Sequence, residues 1–182
     1  WVLAEGKACL EICIELFKYI VFYSLAQFWG LFILYFMNKD FSNAIDYYTQ
    51  SYKMHKMNAD YALFQRALAS AIMNKYGEKI SDFKAFIAAY STTSSTYVPR
   101  AKFELASTYL LNNQPDMALS SFNKFVEEYP NSPYVNTALS KVGLIYYNKN
   151  DDKNALATFD KLIKRDRKSA DAVEAIEISK KI

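Results

Sequence analysis

Apolar side chains recur along this chain with the spacing of one face of an α-helix. Residues 132–166 hold two such stripes, Ala138, Val142, Ile145 and Tyr146 followed by Ala155, Leu156, Phe159, Leu162 and Ile163. Side chains three or four residues apart share one helical face. The polar run at residues 148–152 separates the stripes, and its Asn and Asp side chains can cap the second helix. The pattern therefore predicts a helix–turn–helix unit.

The same unit recurs elsewhere in the chain. An offset of 37 residues places Ala106 on Gly143, Tyr109 on Tyr146, Ala118 on Ala155 and Phe122 on Phe159. An offset of 39 residues places Ala67 on Ala106, Phe83 on Phe122 and Phe86 on Phe125. A further unit with the same internal spacing contains Phe32, Tyr35, Ala44 and Tyr48. We interpret the small positions as points where two helices approach closely, with the aromatic side chains filling the space beside them.

These positions resemble the tetratricopeptide repeat (TPR), a two-helix unit of about 34 residues. The resemblance extends over about residues 24–168. It rests on the small, aromatic, alanine and proline positions, which are held by Gly143, Tyr146, Ala155, Phe159 and Pro130. Two departures are Lys79 at an alanine position and Arg167 at a proline position.

The resemblance implies one all-α domain over residues 1–182, a right-handed α-solenoid of TPR-like helix–turn–helix repeats. The repeats are expected at about residues 24–57, 58–95, 97–132 and 134–168. A leading helix near residues 5–18 precedes them, and a closing helix near residues 169–181 follows them. Ser169 is the expected N-cap of the closing helix. Because the chain starts at Trp1, we expect it to be a fragment of a longer one.

Two short segments suggest a narrower group. The Tyr-Pro-x-Ser linker at residues 129–132 resembles that of bacterial-envelope TPR proteins, namely the Tol–Pal accessory protein and outer-membrane assembly lipoproteins. The segment that starts at residues 61–67 resembles long TPR proteins of Bacteroidetes. This likeness implies a bacterial periplasmic or outer-membrane-associated location, with the cytoplasm as the alternative.

In TPR proteins the first helix of each pair lines a concave groove that binds a partner. The resemblance places eleven residues in that groove: Tyr61, Phe64, Leu68, Arg100, Phe103, Ser107, Leu110, Thr137, Ser140, Leu144 and Tyr147. The lining lacks the lysine and asparagine of TPR domains that clamp acidic tails. An apolar peptide or an amphipathic helix of a partner suits it better. The alternative is that some of these aromatic residues are ordinary core between repeats.

Composition agrees with a folded helical protein. Hydrophobic residues make up 52% of the chain and aromatic residues 16%, while only 4 glycines and 4 prolines are available for turns. The 22 basic and 19 acidic residues are interspersed and leave a net charge of +3. We therefore expect no nucleic-acid partner.

The sequence shows no pattern for catalysis, for a metal site or for a cofactor. Its glycines are too far apart for a phosphate-binding loop. Cys9 and Cys13 lie one helical turn apart and are expected to be small apolar core residues. His55 lies beside two lysines without a catalytic partner. The expected function is a non-enzymatic scaffold for a protein or peptide partner, and an oligomer is compatible with it.

Two alternative functions stay open. One is a membrane-attached subunit, because residues 19–37 carry no charge and are long enough to cross a bilayer. The other is an accessory domain of a larger enzyme. We favour a buried repeat helix at residues 19–37, because Tyr35 precedes Ala44 by the same interval that separates Tyr109 from Ala118.

We expect the purified chain to be monodisperse without detergent and not to sediment with liposomes, because protein rather than lipid is predicted to cover residues 19–37. Size-exclusion chromatography and liposome sedimentation measure this. A detergent requirement that disappears when residues 1–38 are deleted would favour the membrane-attached subunit instead.

Overall fold

The computed structural model describes residues 40–53, 59–93 and 95–182. These residues form eight α-helices and no strand: α1 Phe41–Lys53, α2 Ala59–Ile72, α3 Tyr76–Tyr90, α4 Val98–Leu111, α5 Pro115–Glu128, α6 Val135–Asn148, α7 Asp152–Arg165 and α8 Ala170–Ser179. The all-α prediction is confirmed for this part of the chain.

Several predictions concern residues outside these ranges. They are the leading helix near residues 5–18, the uncharged segment at residues 19–37, Cys9, Cys13 and His55. Within the described ranges, none of the helices is long and apolar enough to cross a membrane.

Each helix packs against the next one along the chain, and α6 also packs against α8. Contacts between near neighbours are typical of repeat proteins, in which each unit covers the apolar face of the unit beside it. The pairs α2–α3, α4–α5 and α6–α7 therefore stack as the successive units of a helical solenoid.

An asparagine with a left-handed backbone conformation follows the first helix of each of these pairs. Asn74, Asn113 and Asn150 have φ angles of 57°, 56° and 57°. Asparagine tolerates this conformation better than most residues with a side chain. The N–H group after each asparagine donates to a carbonyl five residues back: Lys75 to Ser70 at 3.0 Å, Gln114 to Tyr109 at 2.8 Å and Asp151 to Tyr146 at 2.9 Å. This turn is not among the predicted features, although the three asparagines recur at the repeat offsets of 39 and 37 residues.

The core joins small residues of one helix to aromatic rings of the next. Ala106, Ala118 and Ala155 are fully buried, and so is Phe159. A Cβ atom at Gly143 would lie 2.6 Å from Cδ1 and 2.8 Å from Cζ of Phe159. A larger side chain at Gly143 would thus displace a buried ring, so the predicted close approach of α6 and α7 is confirmed.

Lys79, which replaces the alanine of its unit, is only 4% exposed. Its Nζ atom donates a hydrogen bond of 3.0 Å to Oε2 of Glu104. It also lies 5.6 Å from the ring centre of Phe83. Removal of one partner from a buried ion pair is strongly destabilising, because the other charge stays uncompensated. Glu104 therefore makes a lysine tolerable here and joins α4 to α3.

Two helices begin at the caps that the sequence predicts. The Asp151 side chain accepts a hydrogen bond from the Asn154 N–H at 3.2 Å, and the Ser169 hydroxyl accepts one from the Ala172 N–H at 3.2 Å. These bonds satisfy N–H groups that have no partner inside the helix. The closing helix α8 ends at Ser179, slightly before the expected end.

Burial changes the acidity of three tyrosines. Burial, reinforced by neighbouring Tyr61, raises the pKa of Tyr48 far above its ordinary value of 10.0. Burial is also the largest cause of the raised pKa of Tyr61 and of Tyr90. Each of these phenols therefore holds its proton more tightly in the folded chain than in the unfolded one.

Replacement of Phe159 by alanine is expected to lower the free energy of unfolding by about 3–5 kcal/mol, because the ring is fully buried against Gly143. The matched control is Leu156→Ala on the same helix, where the side chain is 39% exposed and the loss should be below about 1 kcal/mol. Urea denaturation followed by circular dichroism measures both values. Equal losses would contradict the assigned packing.

The melting temperature is expected to fall as the pH rises above about 10. Above that pH the tyrosines of the unfolded chain lose protons that the folded chain retains, which favours unfolding. Below about pH 10 the stabilisation that comes from these protonated tyrosines is fully present. Melting curves from about pH 8 to about pH 11 test this, and Tyr48→Phe should show a shallower decline. An unchanged melting temperature across that range would exclude the effect.

Candidate partner-binding surface

Phe64 and Phe103 hold equivalent places on α2 and α4. Phe64 is 1% exposed, and its ring centre lies 5.6 Å from Phe83 and 5.9 Å from Phe86, both edge to face. Phe103 contacts the two corresponding rings of α5 at 5.7 Å and 5.8 Å. Each phenylalanine of a first helix thus rests on two rings of the second helix of its own pair.

A tyrosine from the following unit covers each of these phenylalanines. Tyr97, just before α4, stacks on Phe64 with the ring centres 5.3 Å apart. Tyr134, just before α6, stacks on Phe103 at 4.9 Å. Such pairs add to stability beyond the area that they bury. The apolar pattern does not indicate Tyr97 or Tyr134 as site residues, although their separation of 37 residues equals a repeat offset.

Arg100 lies beside the first of these stacks. Its Cζ atom is 5.3 Å from the ring centre of Phe64, and the residue is exposed. A guanidinium group at this distance is attracted to the ring face. In the part of the chain that the structure describes, Arg100 has no ion-pair partner. Its hydrogen-bond donors therefore face solvent.

Lys102 and Glu128, by contrast, satisfy each other. Nζ of Lys102 lies 2.6 Å from Oε2 of Glu128, and 5.1 Å from the ring centre of Tyr129. Partial burial acts to lower the pKa of Lys102, but hydrogen bonds to Glu128 and Tyr129 outweigh it and leave that pKa above 10.5. Lys124 lies 3.8 Å from the same carboxylate. The charge of Glu128 is thus compensated within the chain.

The eleven predicted groove residues differ in their exposure. Phe64 and Ser140 are buried, with 1% and 3% of their surface exposed, so both have packing roles. Arg100 is exposed. The others are partly exposed, namely Tyr61, Leu68, Phe103, Ser107, Leu110, Thr137, Leu144 and Tyr147. Partner binding by these residues stays a prediction.

Thr137 has an additional contact that the sequence did not indicate. Its hydroxyl donates a hydrogen bond of 2.9 Å to Oδ2 of Asp171. The bond links α6 to α8, the first helix of the last pair to the closing helix.

Two further apolar residues lie at the ends of first helices. Leu111 is 58% exposed and Ile72 is 47% exposed, at equivalent places on α4 and α2. Neither residue is among the predicted groove positions, because a helical period cannot tell which apolar position stays uncovered. We use the name groove face for seven partly or fully exposed apolar residues of the first helices: Tyr61, Leu68, Ile72, Leu110, Leu111, Leu144 and Tyr147.

A cleft of about 610 Å³ lies where the α3–α4 and α5–α6 connections meet. Residues 96–97, 99–100 and 128–134 line it, and we call it the loop cleft. Its volume is within the range of ligand-binding sites. Arg100 belongs to its wall, as do Tyr97 and Tyr134.

Across the described helices and turns, the His, Cys, Asp and Glu side chains form no group of three that could hold a metal ion.

Comparison with known families identifies the repeats. A tetratricopeptide repeat family model matches residues 100–132 and 137–169, which contain α4–α5 and α6–α7. No curated protein is similar to the chain at a significant level.

Solved structures share the fold. A tetratricopeptide repeat protein from Parabacteroides merdae ATCC 43184 has a TM-score of 0.72 at 17% identity, over 85% of this chain. The chain spans 58% of that protein's length. YrrB, described as a TPR protein with an unusual peptide-binding site, has a TM-score of 0.64 at 17% identity. The match covers 82% of this chain and 73% of the YrrB chain.

MamA from Desulfovibrio magneticus RS-1 has a TM-score of 0.63 at 16% identity, over 82% of this chain and 88% of its own. At such low identity the similarities establish the fold alone. The predicted α-solenoid of TPR-like repeats is confirmed, and the chain carries two tetratricopeptide repeats, at residues 100–132 and 137–169.

Proposed function

We propose that this chain is a non-enzymatic scaffold that binds a peptide or an amphipathic helix of a partner protein on the groove face. TPR domains bind protein or peptide partners, and stacked repeats offer extended surfaces for this purpose. The proposal assigns the contact with the partner to the groove-face residues of α2, α4 and α6, which the fold alone does not specify.

The exposure of Leu111 carries this proposal. Its side chain is 58% exposed next to the partly buried Leu110, and Ile72 repeats the arrangement one unit earlier. Burial of such apolar surface by a partner is favourable by about 25 cal/mol per Å². Apolar residues at equivalent places on successive helices are suited to a ligand that lies across several units.

The composition of the surface favours an apolar partner over an acidic one. Phe103, Ser107, Ser140 and Leu144 stand at the positions where TPR clamps for acidic tails carry lysine and asparagine. The groove face itself consists of leucines, an isoleucine and tyrosines. An amphipathic helix presents apolar side chains at three- and four-residue intervals, which matches such a surface.

The proposed setting is a bacterial envelope assembly. The Tyr-Pro-x-Ser linker at residues 129–132 supports this setting through its likeness to envelope TPR proteins.

We expect a photo-crosslinking amino acid at position 111 to capture a partner in bacterial cells that produce the protein. The same amino acid at Leu156, which is 39% exposed on α7, serves as the control and should capture none. Mass spectrometry of the adducts identifies the partner, and separation of periplasm from cytoplasm locates it.

The adduct should disappear when Leu68 is replaced by aspartate in the protein that carries the crosslinker at position 111. Circular dichroism and a melting curve establish that this variant is folded. Equal capture at positions 111 and 156, or capture that survives Leu68→Asp in a folded protein, would rule out the groove face as the binding site. An adduct confined to the cytoplasm would exclude the envelope setting.

A further inference from the structure

The loop cleft adjoins the groove face, since the ring centre of its Tyr97 lies 5.7 Å from that of Tyr61, but it carries different chemistry. Its walls combine three tyrosines with three prolines, namely Tyr97, Tyr129, Tyr134, Pro99, Pro130 and Pro133. We infer that the loop cleft binds an extended, proline-containing segment of a partner, with a carboxylate of that segment paired to Arg100.

The aromatic walls are in place before any ligand arrives. Tyr97 and Tyr134 each stack on a phenylalanine of the preceding unit, at 5.3 Å and 4.9 Å. Tyr129 lies 5.6 Å from Phe125 and beneath the Lys102 ammonium group. Side chains that are already ordered lose little freedom on binding, so a short segment can bind detectably.

The loop backbone between these rings is also held. The Ser132 hydroxyl accepts a hydrogen bond from the Tyr134 N–H at 3.3 Å. Arg165 donates one of 2.7 Å to the carbonyl of Pro130. Pro130 and Pro133 restrict the backbone further, because the ring of proline fixes its φ angle.

A polyproline II segment complements walls of this kind. It exposes flat apolar proline rings, and its backbone carbonyls have no hydrogen-bond partner within the segment. The hydroxyl of Tyr134 has no partner among the described residues and can donate to such a carbonyl. Grooves lined by aromatic residues are a recurring mode of recognition for proline-rich segments.

The charges in the cleft select an acidic residue in the ligand. Glu128 is the acidic residue of the wall, and Lys102 and Lys124 compensate its charge. Arg100 is exposed and is not paired within the described chain. A carboxylate beside Arg100 would accept two parallel hydrogen bonds from the guanidinium group.

A helical ligand fits the cleft less well. A docked helix needs a continuous apolar strip for its own apolar face. The polar residues Thr96, Asn131 and Ser132 interrupt the aromatic wall. In an extended proline-containing segment, proline rings alternate with backbone carbonyl groups. This alternation matches the alternation of tyrosines and polar residues in the cleft wall.

The test is a titration of the ¹⁵N-labelled chain with the synthetic peptide Pro-Pro-Glu-Pro-Pro-Glu-Pro, followed by NMR. We expect a Kd of about 10–500 μM, which is weak but measurable. The shifted amide signals should belong to residues 96–100 and 128–134. A peptide with glutamine in place of both glutamates should bind about tenfold more weakly, because hydrogen bonds to a charged group are the stronger ones.

Substitutions in the protein locate the contact. Arg100→Gln should weaken binding of the glutamate peptide about tenfold and leave binding of the glutamine peptide unchanged. Arg167→Gln, at an exposed cation outside the cleft, should change neither affinity. Tyr134→Phe keeps the stacked ring, removes the hydroxyl, and should weaken binding about threefold.

Three results would overturn the inference. The first is the absence of shifted signals at a peptide concentration of several millimolar. The second is equal affinity of the chain for the glutamate and glutamine peptides. The third is a set of shifted signals that belongs to the groove face alone. The proposed function is tested independently, because Leu68→Asp should abolish crosslinking at position 111 while leaving affinity for the proline peptide unchanged. If crosslinking at position 111 fails while the proline peptide binds, the proposed function is wrong. If the peptide fails to bind while crosslinking occurs, the inference about the loop cleft is wrong.

Discussion

The contact between a small residue of the first helix and an aromatic ring of the second helix sets the spacing of each helix pair. At Gly143 even a methyl group would collide with the ring of Phe159, which is itself fully buried. Ala106 holds the equivalent place one unit earlier. Because these contacts fix how closely the helices pack, they also fix where the phenylalanines and the turns at the left-handed asparagines lie.

The connection between units changes along the chain. Toward the N-terminus it is aromatic, since Tyr97 and Tyr134 cover the phenylalanines of the preceding units. The next unit has Ser140 where the others have phenylalanine. There, a hydrogen bond between Thr137 and Asp171 joins α6 to α8. Stacked rings thus give way to a polar contact at the closing helix, and the ring-lined cleft lies beside the stacked tyrosines Tyr97 and Tyr134.

Ion pairs within the chain determine which charged side chains remain available to a ligand. Lys79 is paired with Glu104 inside the protein, and Lys102 is paired with Glu128 beside the cleft. Arg100 is left as an exposed cation against an aromatic ring. The first helices carry the apolar groove face, while the loop cleft at the start of α4 has Arg100 in its wall as a cation that no described residue pairs. In the two proposals made above, the ligands contact different residues.

The sequence by itself determined the all-α class, the helix pairs, the cap at Ser169, an Asn or Asp cap within residues 148–152 and the burial of Phe159. Helical period and capping depend on residues close together in the chain, so they can be predicted locally. Which groove positions stay open was decided only by tertiary structure. Phe64 is buried and stacked under Tyr97 of the next unit, whereas Leu111 is 58% exposed. The loop cleft likewise needs two connections that are far apart in sequence, and a periodic pattern carries no information about their contact.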